Sequence, residues 1–222
     1  MKILGIVGSP HRKIGNTYKI VERMLKETEK MGAETEIVLL SDLEINYCAG
    51  CATCLREGEC PQKDDVKEIQ EKMLAADGIV LGSPVYILHV TAQMKTFFDR
   101  CVSLGHRPCL QGKYGASVSV FAGVGSVEDV ADYMNRILLG WGATPVGKVC
   151  GYAVIPGGLS QNVLDQAAQV GRELVQAIKE KRKPSEDWLN TKTKDQLKRL
   201  ILRNKDFFKA DYEYWKDKGW ID

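Results

Sequence analysis

The chain has 222 residues, 44% of them apolar and 27% charged, with a formal net charge of +2. That length suits one sizeable core plus an appendage, and the near-neutral charge argues against a nucleic-acid or membrane surface. No apolar run of about 18 residues or more is present, and the opening MKILGIVGSP is broken by Gly5, Gly8 and Pro10, so neither a membrane span nor a secretory signal is expected.

Residues 3–7, ILGIV, read as a strand buried on both faces, ended by Gly8-Ser9-Pro10. A polar loop leads to a helical spacing of Ile20, Val21, Met24, Leu25 and Met31 that stops at Gly32. TEIVLL, 35–40, is a second strand, followed by a cysteine-rich segment. Asp64 is placed to cap a helix that turns Val66, Ile69 and Met73 inward. GIVLG, 78–82, is the third strand, and TAQMKTFFDRCVSL reads as one helix after its loop. YGASVSVF, 114–121, is the fourth strand, and a helix follows AGVGS. A fifth strand lies within 144–155, before a long amphipathic helix over 161–182.

Five strands alternating with helices call for a parallel sheet covered on both faces. Ligands of such sheets sit beyond the carboxyl ends of the strands. The loops 9–17, 41–63, 84–90, 122–126 and 156–160 are therefore expected to meet on one rim, with the cysteines beside any ligand of the first loop. After Pro184 the chain is charged and aromatic, with four excess positive charges from Lys179 to Asp222. Leu197, Leu200 and Ile201 keep a helical spacing, and Phe207, Phe208, Tyr212, Tyr214, Trp215 and Trp220 are bulky. This tail packs back on its own domain or reaches a neighbouring subunit; its rings favour an oligomer interface.

The first loop, GSPHRKIGNT, is neither a dinucleotide fingerprint nor a P-loop. Ser9, Asn16 and Thr17 offer donors, and the helix start favours an anion such as a phosphate. Arg12 or His11 adds charge. A plain helix cap by Asn16 or Thr17 is the competing reading. At the end of the third strand, Ser83-Pro84-Val85-Tyr86 makes a rigid turn suited to a flat ring.

The order GSPxxxxGNT, then GSPVYxxxxTAQMKxFFDR, resembles the flavodoxin-like NAD(P)H-dependent FMN reductase family over about 160 residues. The resemblance implies a flavodoxin-like, doubly wound sheet of order 2-1-3-4-5 binding FMN. It implies Ser9, Arg12, Gly15, Asn16 and Thr17 at the phosphate, and Pro84, Val85, Tyr86 and Ile87 beside the isoalloxazine ring. Gly123, in AGVGS, falls in the other ring-contacting loop. Relatives often carry Arg directly after GSP, whereas here His11 comes first and Arg12 next. His89 could act near the flavin, line the pocket, or cap the coming helix.

Four of the seven cysteines, Cys48, Cys51, Cys54 and Cys60, follow the pattern C-x2-C-x2-C-x5-C with Pro61 behind. Compact runs closed by Cys-Pro hold 4Fe–4S clusters. Zinc, a redox dithiol and free thiols compete; zinc sites generally use two separated pairs. With both motifs present the chain resembles the iron–sulfur flavoproteins. That resemblance implies these four cysteines as 4Fe–4S ligands and dimers that pair into tetramers, with flavin and cluster near the subunit contacts. Cys101 and Cys150 read as small core residues, and Cys109 as a loop thiol.

The expected organisation is an FMN-binding domain over 1–183, with its cysteine loop at 47–63, and a helical extension over 184–222. The expected function is an FMN-dependent oxidoreductase relaying electrons between a 4Fe–4S cluster and FMN in a cytoplasmic homo-oligomer, dimer or tetramer. Its donor would be a carrier such as ferredoxin or NAD(P)H, its acceptor a small molecule or a protein. One alternative is a cluster-free NAD(P)H-dependent FMN, quinone or nitro reductase; another is a zinc-loop regulatory or assembly module.

Overall fold

The five apolar runs become β1 (Lys2–Val7), β2 (Glu34–Leu39), β3 (Gly78–Pro84), β4 (Tyr114–Phe121) and β5 (Thr144–Tyr152) of one sheet ordered β2-β1-β3-β4-β5. The computed structural model describes residues 1–123, 126–183 and 192–222. All four pairings are parallel. β1, β3 and β4 are buried almost throughout, with no alternation, because helices cover both faces. The edge strands β2 and β5 are half-exposed.

One face carries α1 (Asn16–Lys30) and α7 (Gln161–Glu180). Ile20, Val21, Met24 and Leu25 of α1 pack there with Val170 and Leu174 of α7. The other face carries α3 (Val66–Ala75), α4 (Ala92–Arg100) and α6 (Val127–Gly140). Ile69, Met73, Met94, Phe97, Val130 and Met134 fill that layer. In register, Val7 stands beside Leu39 and Gly82, and Pro84 beside Val120, so these strands end on one rim. Strand order reverses at β1 and β3, the place where such sheets open a crevice.

Two boundaries differ from the sequence-based expectation. The helix expected through Leu104 ends at Cys101, whose N–H bonds to the carbonyls of Phe97 and Phe98, and α5 (Val102–His106) starts anew. Asp64 is not chiefly a cap. It makes one 3.3 Å bond to the Val66 N–H, while Asp65 holds the N-cap position and the Asp64 carboxylate turns to Asn46 and Arg100. The fifth strand lies within the expected 144–155 span and stops at Tyr152, and 153–156 then line the rim.

The tail folds onto its own chain as α8 (Lys192–Arg203) and α9 (Lys209–Asp217). Trp215 is fully buried, donates from Nε1 to the His106 carbonyl at 2.7 Å, and packs with Ile201 and Ile221 against Leu139 of α6. The expected boundary near 184 and residues 124 and 125 of AGVGS lie outside the described residues. Among the described residues no helix is long and apolar enough to cross a membrane.

Candidate functional site

Four loops meet at the carboxyl rim. Ser9, His11, Asn16 and Thr17, then Pro84, Val85 and Tyr86, then Ala122, then 153–156 enclose a cleft of about 110 Å³. Its floor is the start of α1. The helices after β3, β4 and β5 are each capped by a side chain, from Thr91, Ser126 and Ser160. The N-cap of α1 is Gly15, with no side-chain cap. Backbone N–H groups at an uncapped helix start favour an anion, and Ser9 and Thr17 lie buried beside them.

Loop-to-loop bonds hold the cleft together. The Asn16 amide donates to the Ile155 carbonyl at 2.9 Å and accepts from the Gly157 N–H at 2.7 Å, strapping the first loop to the last. Thr91 is buried; its hydroxyl donates to the Gly8 carbonyl at 2.6 Å and accepts from the Met94 N–H, while its own N–H donates to Ser83 Oγ. Gly8 permits this approach, since a Cβ there would stand 2.8 Å from Met94 Cβ.

Ile87 and Leu88 form a two-residue turn closed by reciprocal backbone bonds between Tyr86 and His89. Both have positive φ, 46° and 63°, and both are exposed, Ile87 to 96%. A β-branched residue in this region is strained. His89 stacks edge-on against Tyr133 at 4.4 Å. Arg12 turns away from the cleft to pair with Asp42 at 2.9 Å, and His11 lines the cleft instead. Gly123 follows Ala122 and lies beside the Phe121 ring.

Cys48, Cys51, Cys54 and Cys60 line a second cavity of about 680 Å³, walled by Phe98, Arg100, His106 and Trp141. The local backbone turns sharply: Ala52 is left-handed before the short α2 (Thr53–Arg56), and Gly58 has φ 97°. The Thr53 hydroxyl donates to Cys51 Sγ at 3.3 Å and lowers that thiol's pKa. Burial raises Cys54, and the neighbouring Cys60 and Cys48 add to the rise. Outside the loop, burial pushes Cys101 up to about 12 and Cys150 to about 11, keeping both unreactive. Cys109 is half-buried.

Two buried arginines hold this loop. Arg100 pairs with Asp64, donates to the Asn46 carbonyl at 2.9 Å and reaches Cys60 Sγ at 3.5 Å. Burial works against the Asp64 carboxylate, yet Arg100 and the Asn46 N–H keep its pKa below the usual range. Arg107 donates to the Gly58 carbonyl at 2.8 Å and pairs with Asp211 at 3.2 Å. Asp211 is fully buried and also bonds His106 Nδ1 at 2.8 Å. None of these pairs was foreseen, since their members stand far apart in the chain.

The cysteines do not line the rim cleft, although the start of their segment meets the first loop, where Arg12 pairs with Asp42 and reaches the Ser41 carbonyl. The two cavities share no lining residue, and they lie at opposite ends of α4. The nine residues of that helix, at about 1.5 Å each, span roughly 13 Å. The cause is apolar: Leu40, Leu43 and Ile45 enter the layer under α3 and α4 and draw the segment down the side of the sheet.

Four thiolates on one zinc would stand about 3.8 Å apart, given Zn–S bonds of about 2.3 Å. Among the described residues no three His, Cys, Asp or Glu side chains lie close enough for a single metal ion. The thiols instead share the wall of a larger cavity, where the buried Arg100 Nε–H lacks an acceptor. Soft donors around a roomy cavity with a spare N–H fit a multi-metal sulfide group better than a lone ion.

Residues 1–154 match the family described as NADPH-dependent FMN reductase. The chain is 48% identical over 221 residues to an iron–sulfur flavoprotein of Archaeoglobus fulgidus, covering 100% of both. It is 37% identical over 196 residues to one of Methanocaldococcus jannaschii, covering 81% of this chain and 98% of that one. Among solved structures, an NADH:FMN oxidoreductase in its apo form aligns with TM-score 0.62 at 19% identity, over 79% of this chain and 89% of the other. A flavodoxin from the Archaea aligns with TM-score 0.54 at 15% identity, over 81% and 99%. These two likenesses show the fold.

Proposed function

The chain belongs to the NADPH-dependent FMN reductase family and, within it, to the iron–sulfur flavoproteins, and on that premise we propose that FMN occupies the rim cleft and a 4Fe–4S cluster the cysteine nest. It is a flavin-dependent oxidoreductase of the electron-transfer kind. When bound, FMN exchanges one or two electrons and the cluster exchanges one. The start of α1, with Ser9, Gly15 and Thr17, receives the phosphate. Asn16 orients the first loop against 155–157, and His11 lines the cleft beside it, while Arg12, paired with Asp42, stands outside. Pro84, Val85 and Tyr86 wall the ring, with Ile87 and Gly123 at its margins. Cys48, Cys51, Cys54 and Cys60 ligate the cluster.

The gathering of all four loop thiols on one cavity, with a guanidinium on one of them, carries the cluster reading. We assign 1–183 to the flavin domain and 184–222 to an extension that steadies the nest. We assign the chain to a cytoplasmic homo-oligomer, dimer or tetramer; the length of α4 between the two sites and the exposed Ile87, Leu88, Val154 and Ile155 on the flavin rim support the assembly. Electrons would come from a carrier such as ferredoxin or from NAD(P)H, and go to a small molecule or a protein.

The test is the content of iron, sulfide and FMN in anaerobically purified protein, with Cys51→Ala and Cys101→Ala beside it. The reading expects iron and flavin together, iron lost in C51A and kept in C101A. Flavin without iron would sink the cluster assignment, and the absence of both would sink the whole reading.

A further inference from the structure

Arg100 makes more contacts with the cysteine loop than packing requires. Its side chain is 1% exposed and its partner Asp64 0%. Nη1 donates to the Asn46 carbonyl at 2.9 Å and to Asp64 Oδ2; Nη2 donates to Asp64 Oδ1 at 3.0 Å and to Cys60 Sγ at 3.5 Å. One planar fork thus ties Asn46, two residues before the first cysteine, to the last of the four cysteines and to the carboxylate beyond it. Cys51 receives a neutral hydroxyl from Thr53, whereas Cys60 receives a cation.

Resting on the cluster reading above, we propose that Arg100 is a positioning residue that sets the cluster's reduction potential through Cys60, with Asp64 moderating its charge. A charge-assisted N–H···S bond withdraws electron density from the thiolate and favours the more negative, reduced cluster. Little water screens the guanidinium and the carboxylate, because both side chains are enclosed, while Cys60 itself is exposed. The carboxylate cancels part of that field. The two residues therefore act on the potential with opposite signs, and a simple loop brace would not.

The experiment is a redox titration of the cluster in anaerobic holoprotein, followed by visible absorbance and electron paramagnetic resonance. Asp64→Asn leaves the cation unopposed and is expected to raise the potential. Arg100→Met combined with Asp64→Asn removes the bond to Cys60 without stranding a buried charge, and is expected to lower it. The expected drop is about tenfold in the reduced-to-oxidised ratio at fixed ambient potential, about 59 mV for a one-electron couple. If the double variant does not assemble, Arg100→Lys, which keeps the charge and loses the fork, is expected to lower the potential by less. Equal potentials, or shifts of one sign in D64N and the double variant, overturn the proposal. So does an unchanged R100K where the double variant fails. Wild-type protein without iron and sulfide instead refutes the underlying cluster reading.

Discussion

The two ends of α4 are built on different principles. At its start, the rim cleft uses strand ends, small residues and short polar bonds: Thr91 to Gly8, and Asn16 to Ile155 and Gly157. At its end, the cysteine nest is held by buried ion pairs, Arg100–Asp64 and Arg107–Asp211, and by the tail. The parallel sheet supplies the first site almost unaided, because its geometry already brings the loops together. The second site lies beside a helix, where no sheet geometry orders a loop. Side chains with directional, charged contacts do that work instead.

If the two ends are independently built, mutations should separate them. Asp211→Asn leaves Arg107 buried without its counter-charge and is expected to cost about 3–5 kcal/mol in denaturant unfolding. Iron release to a chelator should quicken, while FMN affinity in the folded protein stays put. Equal damage to both would dissolve the contrast. Gly8→Ala attacks the other end, since its Cβ would meet Met94 Cβ at 2.8 Å. Overpacking of this kind costs about 1–3 kcal/mol, and calorimetric FMN titration should show weaker binding with iron content unchanged. Asn16→Ala is milder. It cuts two strap bonds, worth about 1 kcal/mol each, and should raise the FMN dissociation constant roughly tenfold without loss of fold.

The same contrast explains what the sequence made legible. The five strands, their helices and the inward faces of α1 and α3 follow from local periodicity. The cleft residues are contiguous, as GSPxxxxGNT and GSPVY, so a reader meets them together. The nest's cysteines are equally visible, but its frame is not. Arg100 and Asp64 stand 36 positions apart, and His106 and Asp211 stand 105 apart. Charged residues read as solvated surface unless a fold encloses them. A usable signal was the arginine closing FFDR on the inner face of α4, one turn beyond Phe97, where a helix normally buries an apolar residue. The expectation that the cysteines join the rim failed because Leu43 and Ile45, read as part of the 41–63 loop, pack against the core beside the buried Leu40.

The mildest test concerns Glu27, which joins α1 to α7 behind the Asn16 strap. It takes hydrogen bonds from Arg23, Lys30 and Arg172 at 2.9–3.1 Å. The bonds from Arg23 and Lys30 hold its carboxyl well below its ordinary value of 4.5, at about 2. A carboxylate with a depressed folded pKa contributes stability above its unfolded value and loses it as pH falls through the folded one. Wild type should therefore exceed Glu27→Gln at neutral pH, with the difference fading between about 4.5 and about 2. Glu27 is mostly covered, but Arg23, Lys30 and Arg172 reach solvent, so added salt should shrink the gap as well. Urea midpoints measured across that range decide it. A gap that persists below pH 2 would mean that Glu27 supports α1 and α7 by packing rather than charge.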